Sequence, residues 1–303
     1  MKIDEVNIKD YTTYKLKGKM KLFVPKDISE LKEILKKEKC KIIGNGSNLI
    51  IDSSYDKTLV KLKHFDDINI CGNIVDVGSG YSLTKLSRQC ADNGLSGLEF
   101  ACGIPGTVGG AIYMNAGSFG GEISDVVSCV KVLDENNEIK VFKKEELGFS
   151  YRKSIFQDKN YIILQARFNL NIGEKEKIWK ICKNNLKERK EKQPYDKFTA
   201  GSVFKKPKDY YAWELIDACG YRGYKIGGAK VSRKHCGFIE NAKNAKFYDV
   251  LKIIYEIKKT VYKKFDIILE EEIQFVGDIN GHFRRLSHTY DLQQKEMVSK
   301  KTC

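Results

Sequence analysis

The sequence predicts a two-domain α+β protein, and three features carry that prediction. Its 303 residues are enough to bury two separate cores. Through the first half, short apolar runs with strand character are interspersed with amphipathic helical stretches. A long helical pattern over 174–192, closed by Pro194, then separates this half from a second set of helices and strands. The expected division is 1–172 for the first domain, 173–279 for the second, and a loosely held tail over 280–303.

The first helix is expected over 29–39, with Leu31, Ile34 and Leu35 on one face and Ser29 as its N-cap. Apolar runs at 42–43 and 49–51 flank a glycine turn, and strands are expected over 58–62 and 74–77. The 82–93 segment is a second amphipathic helix, stopped by Gly94. Segments 126–133 and 138–142 flank Asp134-Glu135-Asn136-Asn137, which is hairpin chemistry, and 161–170 reads as a long apolar strand. The 174–192 helix is expected to bury Ile178, Trp179 and Ile181. Beyond it come helices near 211–219 and over 247–265, and a final strand over 267–276.

Composition narrows the class. A balance of 42% hydrophobic to 31% charged residues, with no low-complexity tract, is that of a globular protein rather than a disordered one. The first ten residues are polar and no stretch is long and apolar enough to span a bilayer, so a cytoplasmic location is expected, with no membrane partner. The nine cysteines are scattered without a CxxC pair, which argues against a zinc site or a disulfide framework; no metal is expected, and most cysteines read as small buried hydrophobes. The net charge of +14 is spread along the whole chain, with no nucleic-acid-binding motif, so the surface suits anionic small molecules and no nucleic-acid partner is expected.

Two glycine-rich segments carry the first chemical signal. Gly44-Asn45-Gly46-Ser47-Asn48 offers a backbone that can turn its N–H groups toward an anion, with Ser and Asn side chains as further donors. It lacks the third glycine of a Rossmann fingerprint and is followed by a strand, so taken alone it reads first as a turn between two strands. Gly103-Ile104-Pro105-Gly106-Thr107-Val108-Gly109-Gly110-Ala111, continuing to Asn115-Ala116-Gly117, sets a tight backbone that a ligand can approach closely. Two such loops in one domain fit a bound dinucleotide better than two coincidental turns.

The segments IIGNGSNLII, GLEFACGIPGTVGGAIYMNAG, FSYRKSIF, AGSVFKKP and LEEEIQFVG stand in the order and spacing of the UDP-N-acetylenolpyruvoylglucosamine reductases. The chain resembles that family from about Tyr11 to Gly277. The resemblance implies an FAD-binding domain of the PCMH/vanillyl-alcohol-oxidase type, followed by a smaller α+β substrate-binding domain. It implies FAD as cofactor, NADPH as co-substrate and a UDP-sugar as substrate, with the flavin pyrophosphate against Gly44, Asn45, Gly46, Ser47 and Asn48, and against Gly103, Ile104, Pro105, Gly106, Thr107, Gly109, Gly110, Ala111 and Asn115. A monomer is expected.

The resemblance also implies a catalytic trio. Arg152, after Ser150-Tyr151, matches the arginine that holds the substrate carboxylate, a role suited to a planar guanidinium, and Tyr151 would lie against the substrate. Ser202, in Ala200-Gly201-Ser202-Val203-Phe204, matches the proton donor; by itself such a serine reads as a turn residue. Glu272 matches the catalytic glutamate, and strand alternation would put Glu270 and Glu272 on one face and Glu271 on the other. Neighbouring carboxylates would raise one another's pKa. Lys192 and Lys206, which flank the serine loop, match the basic residues for the substrate diphosphate.

Some positions depart from the family pattern. Lys17-Gly18-Lys19-Met20 stands where a Gly-Gly-Pro-Ala-like turn is usual, Cys236-Gly237 replaces the usual pair after His235, and Glu271 replaces a proline. The short spacing between Arg152 and Ser202 resembles the family form without the extra substrate-covering insertion. Against the reductase reading stand two others: a different flavoprotein oxidoreductase of the same fold, and a non-catalytic binding relative.

Overall fold

A computed structural model describes residues 2–279, 281 and 282. The chain divides into two compact units, each assembled from separate stretches. The first comprises Met1–Val6, Lys21–Ser47 and Lys57–Tyr195; the second comprises Asn7–Met20, Asn48–Asp56 and the chain from Asp196 onward.

The first unit is built on an antiparallel five-stranded sheet. Its order is Ile139–Lys143, Val127–Leu133, Ile162–Asn169, Ile74–Gly78, Ile68–Cys71. The expected hairpin is its edge. Asp134 accepts backbone N–H groups from Asn136 at 2.9 Å and Glu138 at 2.8 Å, which fixes the turn between the two strands. Val75, Val77, Val130, Val132 and Phe168 face one core with Leu83 and Leu86 of helix Leu83–Asp92. Ser82 caps that helix, and Gly94 at φ +67° ends it where the sequence predicts a stop. Fully burying side chains such as Phe168 and Leu86 stabilises the unit by about 1.5–3 kcal/mol each.

A second sheet in this unit joins Lys41–Ile43, and Leu22 and Phe23 at the end of strand Lys19–Phe23, to Leu59–Lys61 in parallel. Helix Ile28–Lys37 packs Leu31 and Ile34 into the adjoining core. Its cap is Asp27, not the expected Ser29: the Asp27 carboxylate accepts the N–H groups of Ser29 and Glu30 at 2.8 and 2.9 Å.

The break between units falls at 195, not at 172. Helix Lys175–Lys192 belongs to the first unit because Ile178 and Cys182 pack with Ala91 and Cys102. Asn185 and Trp179 also donate to Glu99 O and the Asp92 carboxylate. Its buried stripe holds Cys182 in place of the expected Ile181, which is 47% exposed.

The second unit gathers pieces that lie far apart in the chain. Leu49–Ile51 pairs in parallel with Gln274–Val276, so a segment of the first glycine region is a strand of this unit. Asn241 donates to the carbonyls of Tyr14 and Lys15, which draws in the 7–20 stretch. Helix Phe247–Phe265 has the bounds its pattern predicts and buries Val250, Ile253, Ile254, Ile257 and Val261. The strand expected over 267–276 is regular only at Gln274–Val276, because its partner Leu49–Ile51 is no longer than that.

The tail expected over 280–303 lies outside the described residues except at Gly281 and His282. His282 Nε2 is 3.1 Å from an oxygen of Asp52, and its ring packs near Phe247, so the second unit extends at least to 282. No described helix is long and apolar enough to cross a membrane.

Candidate active site

In the first unit the two glycine segments come together. Ser47 Oγ donates to Pro105 O at 2.9 Å, and a side chain at Gly44 would place its Cβ 2.8 Å from Thr107 Oγ1. Gly106 adopts φ +143° beside Ser47, a conformation open to glycine. The second loop is anchored on the turn after strand Ile74–Gly78: Gly109 N donates to Ser79 O at 2.8 Å, Val108 N to Tyr81 O, and Leu83 N to Gly106 O. Thr107 caps helix Val108–Tyr113 by accepting Gly110 N.

Ser79 is the residue of this region that sequence reasoning missed. Its hydroxyl oxygen is buried and has no hydrogen-bond partner among the described residues, and a Cβ added at Gly109 would lie 2.9 Å from Ser79 Cβ. A buried hydroxyl left unpaired is costly unless a ligand satisfies it. The Gly78-Ser79-Gly80 run was the available signal, since it is a third small-residue break at the end of a strand. An orphaned donor within a cradle too tight for side chains fits the pyrophosphate of a dinucleotide such as FAD.

Asn115 closes the same region. It is fully buried, and its amide donates to Glu122 Oε1 at 2.9 Å and Ser150 O at 3.0 Å while accepting Ser124 N. Through Ser150 it holds the turn that carries Tyr151 and Arg152. Arg152 sits at φ +56°, and its Nη2 donates to Gly117 O at 2.7 Å. Its guanidinium lies 5.0 Å from the ring centroid of the half-exposed Tyr151.

Arg189 is a second missed residue. Its Nη2 donates to Ser118 Oγ at 2.6 Å and its Nη1 to Gln193 Oε1 at 3.2 Å, while its Nε, packed on Gly103, finds no acceptor among the described residues. Burial lowers its pKa, and the charge of Arg152 acts in the same direction. Sequence gave no hint, because Arg189 stands in a run of charged helix residues. Lys192, by contrast, is an exposed residue whose ammonium meets Glu188 at 2.6 Å one turn away.

In the second unit, segments 203–205 and 270–273 run antiparallel. Lys205 N donates to Glu270 O at 2.9 Å and Glu272 N to Val203 O at 2.8 Å, with Phe204 opposite Glu271. Ser202 and Glu272 are thus brought to neighbouring backbone positions. Of the three acids, Glu271 meets Lys258 of helix Phe247–Phe265 at 2.7 Å, while Glu270 meets Lys205 at 3.3 Å. Lysine partners, not other carboxylates, therefore face these two acids. Asn48 Nδ2 donates to Glu272 O at 3.0 Å and Asn48 O accepts Gln274 N, so Asn48 ties the acidic segment to strand Leu49–Ile51.

Around Ser202 the Cys236-Gly237 departure has a steric reason. A Cβ at Gly237 would fall 3.0 Å from the His235 ring and 3.5 Å from Ser202 Oγ, and Gly237 O accepts Val203 N. Gly237 N donates to His235 Nδ1, and burial between Trp213 and Phe238 lowers the pKa of that ring, which favours neutral imidazole. Lys206 lies 4.5 Å over the Tyr211 ring.

Comparison with known proteins turns these features into an assignment. The C-terminal domain of UDP-N-acetylenolpyruvoylglucosamine reductase matches residues 193–276, and an FAD binding domain matches 21–143. The UDP-N-acetylenolpyruvoylglucosamine reductase of Caldicellulosiruptor bescii is 43% identical over 280 residues, covering 89% of each chain. The chain belongs to the UDP-N-acetylenolpyruvoylglucosamine reductase family. Its members are FAD-dependent oxidoreductases of peptidoglycan precursor synthesis, and this chain is one of them. The reductase of Caldanaerobacter subterraneus subsp. tengcongensis is 45% identical, covering 89% of this chain and 92% of its own. The crystal structure of the Thermus caldophilus reductase superposes with a TM-score of 0.81 at 34% identity, over 91% of this chain and all of that one. The two domain matches meet the α+β expectation of an FAD-binding part followed by a family-specific C-terminal part.

Proposed function

We propose that the chain reduces the enolpyruvyl ether of UDP-N-acetylglucosamine to UDP-N-acetylmuramate in the cytoplasm, as a monomer, with NADPH as the electron source. The 44–47 and 103–111 loops and Ser79 would hold FAD, which when bound would supply hydride chemistry toward the methylene carbon of the ether. Arg152 pairs with the substrate carboxylate and stabilises the charge that grows there as hydride arrives. Ser202 delivers a proton to the carbon beside that carboxylate, and Glu272 assists on the same enolate. Tyr151 and Lys206 contact the substrate. For the diphosphate, Lys206 is the better candidate of the two flanking lysines, since Lys192 is engaged by Glu188.

The observation that supports this reading best is the hydrogen bond from Glu272 N to Val203 O, which sets an acid beside a hydroxyl from a distant part of the chain. The test is anaerobic and runs in two halves. Purified protein should release FAD on denaturation, its flavin should bleach with NADPH, and the enolpyruvyl substrate should restore the colour with formation of UDP-N-acetylmuramate. Flavin that bleaches but is not reoxidised by that substrate would sink the substrate assignment while sparing the flavoprotein reading.

A further inference from the structure

We propose that His235 is a positioning residue for the proton donor: its neutral ring holds the Gly237 turn, which holds the backbone beside Ser202 and Glu272, and protonating the ring releases that hold. The inference rests on Ser202 being the donor. All the residues concerned lie in the second unit. Gly237 N donates to His235 Nδ1 at 3.1 Å, and Gly237 O accepts Val203 N at 2.8 Å. Val203 O in turn accepts Glu272 N at 2.8 Å. The Ser202 hydroxyl makes only a long bond of its own, to Phe204 O at 3.4 Å, so the main chain at Val203 sets its place.

The direction of the first bond makes it sensitive to protonation. A backbone N–H can only donate, so Nδ1 carries a lone pair and the proton of the neutral ring sits on Nε2. Imidazolium has protons on both nitrogens and accepts nothing, which strips the buried Gly237 of its N–H partner. The ring has little room to turn away. Its centroid is 5.6 Å from that of Trp213 and 5.1 Å from that of Phe238, and its Nδ1 and Cε1 lie 3.0 Å from the Cβ position of Gly237.

The ionisable groups on the surrounding elements favour the neutral ring. Arg233 and Lys234, on its own loop, are exposed cations. Arg222 donates to Arg233 O at 2.6 Å and to both carboxylate oxygens of Asp217, on helix Ala212–Ala218, at 2.8 and 2.5 Å. Asp217 also accepts from Cys236 Sγ at 3.4 Å, and on the far side of Val203 the acid is Glu272. Burial, with the Arg222 charge acting the same way, holds the ring below the ordinary histidine value. It is therefore neutral near pH 7, and the hold on Gly237 is lost only as pH falls through the lowered value.

The experiment follows both half-reactions of FAD-loaded protein by anaerobic stopped flow from about pH 7.5 down to about pH 4.5. Toward the acid end, reoxidation by the enolpyruvyl substrate should fall at least about fivefold more than reduction by NADPH. His235→Asn offers an amide oxygen to Gly237 N and does not titrate, so that extra fall should vanish. His235→Leu has no acceptor, and should reoxidise at least about tenfold more slowly at every pH while keeping its reduction by NADPH. Flavin content and melting temperature check that each variant folds. The proposal is overturned if the parent and His235→Asn profiles coincide. It is equally overturned if His235→Leu reoxidises at the parental rate or loses both half-reactions alike. Ser202→Ala, run beside them, separates the two levels of the argument: a fast Ser202→Ala removes the donor itself, whereas a slow Ser202→Ala with unaffected histidine variants removes only the positioning role.

Discussion

Ser202 is the residue on which the proposed chemistry turns. Its neighbours fix where it sits: Val203 is held by Gly237 O and Glu272 N, and the glycine at 237 leaves space beside the hydroxyl. Bleaching of the flavin by NADPH needs no proton from Ser202, whereas protonation of the substrate carbon does. A general acid contributes a factor of about 100 to 10,000. Ser202→Ala is therefore expected to keep its FAD and its reduction by NADPH, while reoxidation by the enolpyruvyl substrate slows by about two orders of magnitude or more. Ser202→Cys should recover part of the loss. Stopped-flow absorbance of the two half-reactions separates these outcomes, and undiminished reoxidation in Ser202→Ala would make Ser202 a loop residue only.

Among elements, the loop pair of the first unit makes the most direct claim. Gly109 approaches Ser79 so closely that an alanine Cβ would lie 2.9 Å from Ser79 Cβ and 3.2 Å from its carbonyl oxygen. The neighbour includes backbone, so the loop itself has to shift. Gly109→Ala is expected to lower FAD occupancy by about tenfold, a binding loss of roughly 1.4 kcal/mol, with circular dichroism little changed. Full flavin retention would show that the cradle tolerates a side chain. The hairpin over 133–139 makes a second claim, on acid stability. Asp134 is held below the ordinary carboxylate range first by Lys140, at 2.6 Å, and then by the N–H groups of Glu138 and Asn136. Its folded pKa is thus below its unfolded value of about 3.9. The stabilisation is complete above that unfolded value and is lost as pH falls through the lowered folded one. Melting temperatures recorded from pH 6 to pH 2 should fall less steeply for Asp134→Asn than for the parent; parallel curves would remove Asp134 from the acid transition.

For the whole molecule, the net charge of +14 is the dominant long-range property. A basic surface concentrates anionic ligands near it, and salt screens that attraction beyond about 10 Å at 0.1 M. KM for the UDP-sugar is expected to rise by about threefold or more as ionic strength goes from about 0.05 to 0.5 M, with kcat changing less. A KM insensitive to salt would confine recognition to short-range contacts.

Much of this protein was legible in sequence because the signals are local. Helices 83–92 and 247–265, the Asp134 hairpin and the glycine loops rest on periodicity, caps and turn residues that lie within one window of the chain. The ordered segments from IIGNGSNLII to LEEEIQFVG carried the family, and with it the cofactor. Tertiary structure alone decided the rest. It paired Leu49–Ile51 with Gln274–Val276, gave the 174–192 helix to the first unit, and bound Asn48 to Glu272. It left Ser79 Oγ and Arg189 Nε buried without a hydrogen-bond partner among the described residues. Each of these joins residues tens to hundreds of positions apart, where no local propensity records a partner and only the free energy of the packed chain selects it.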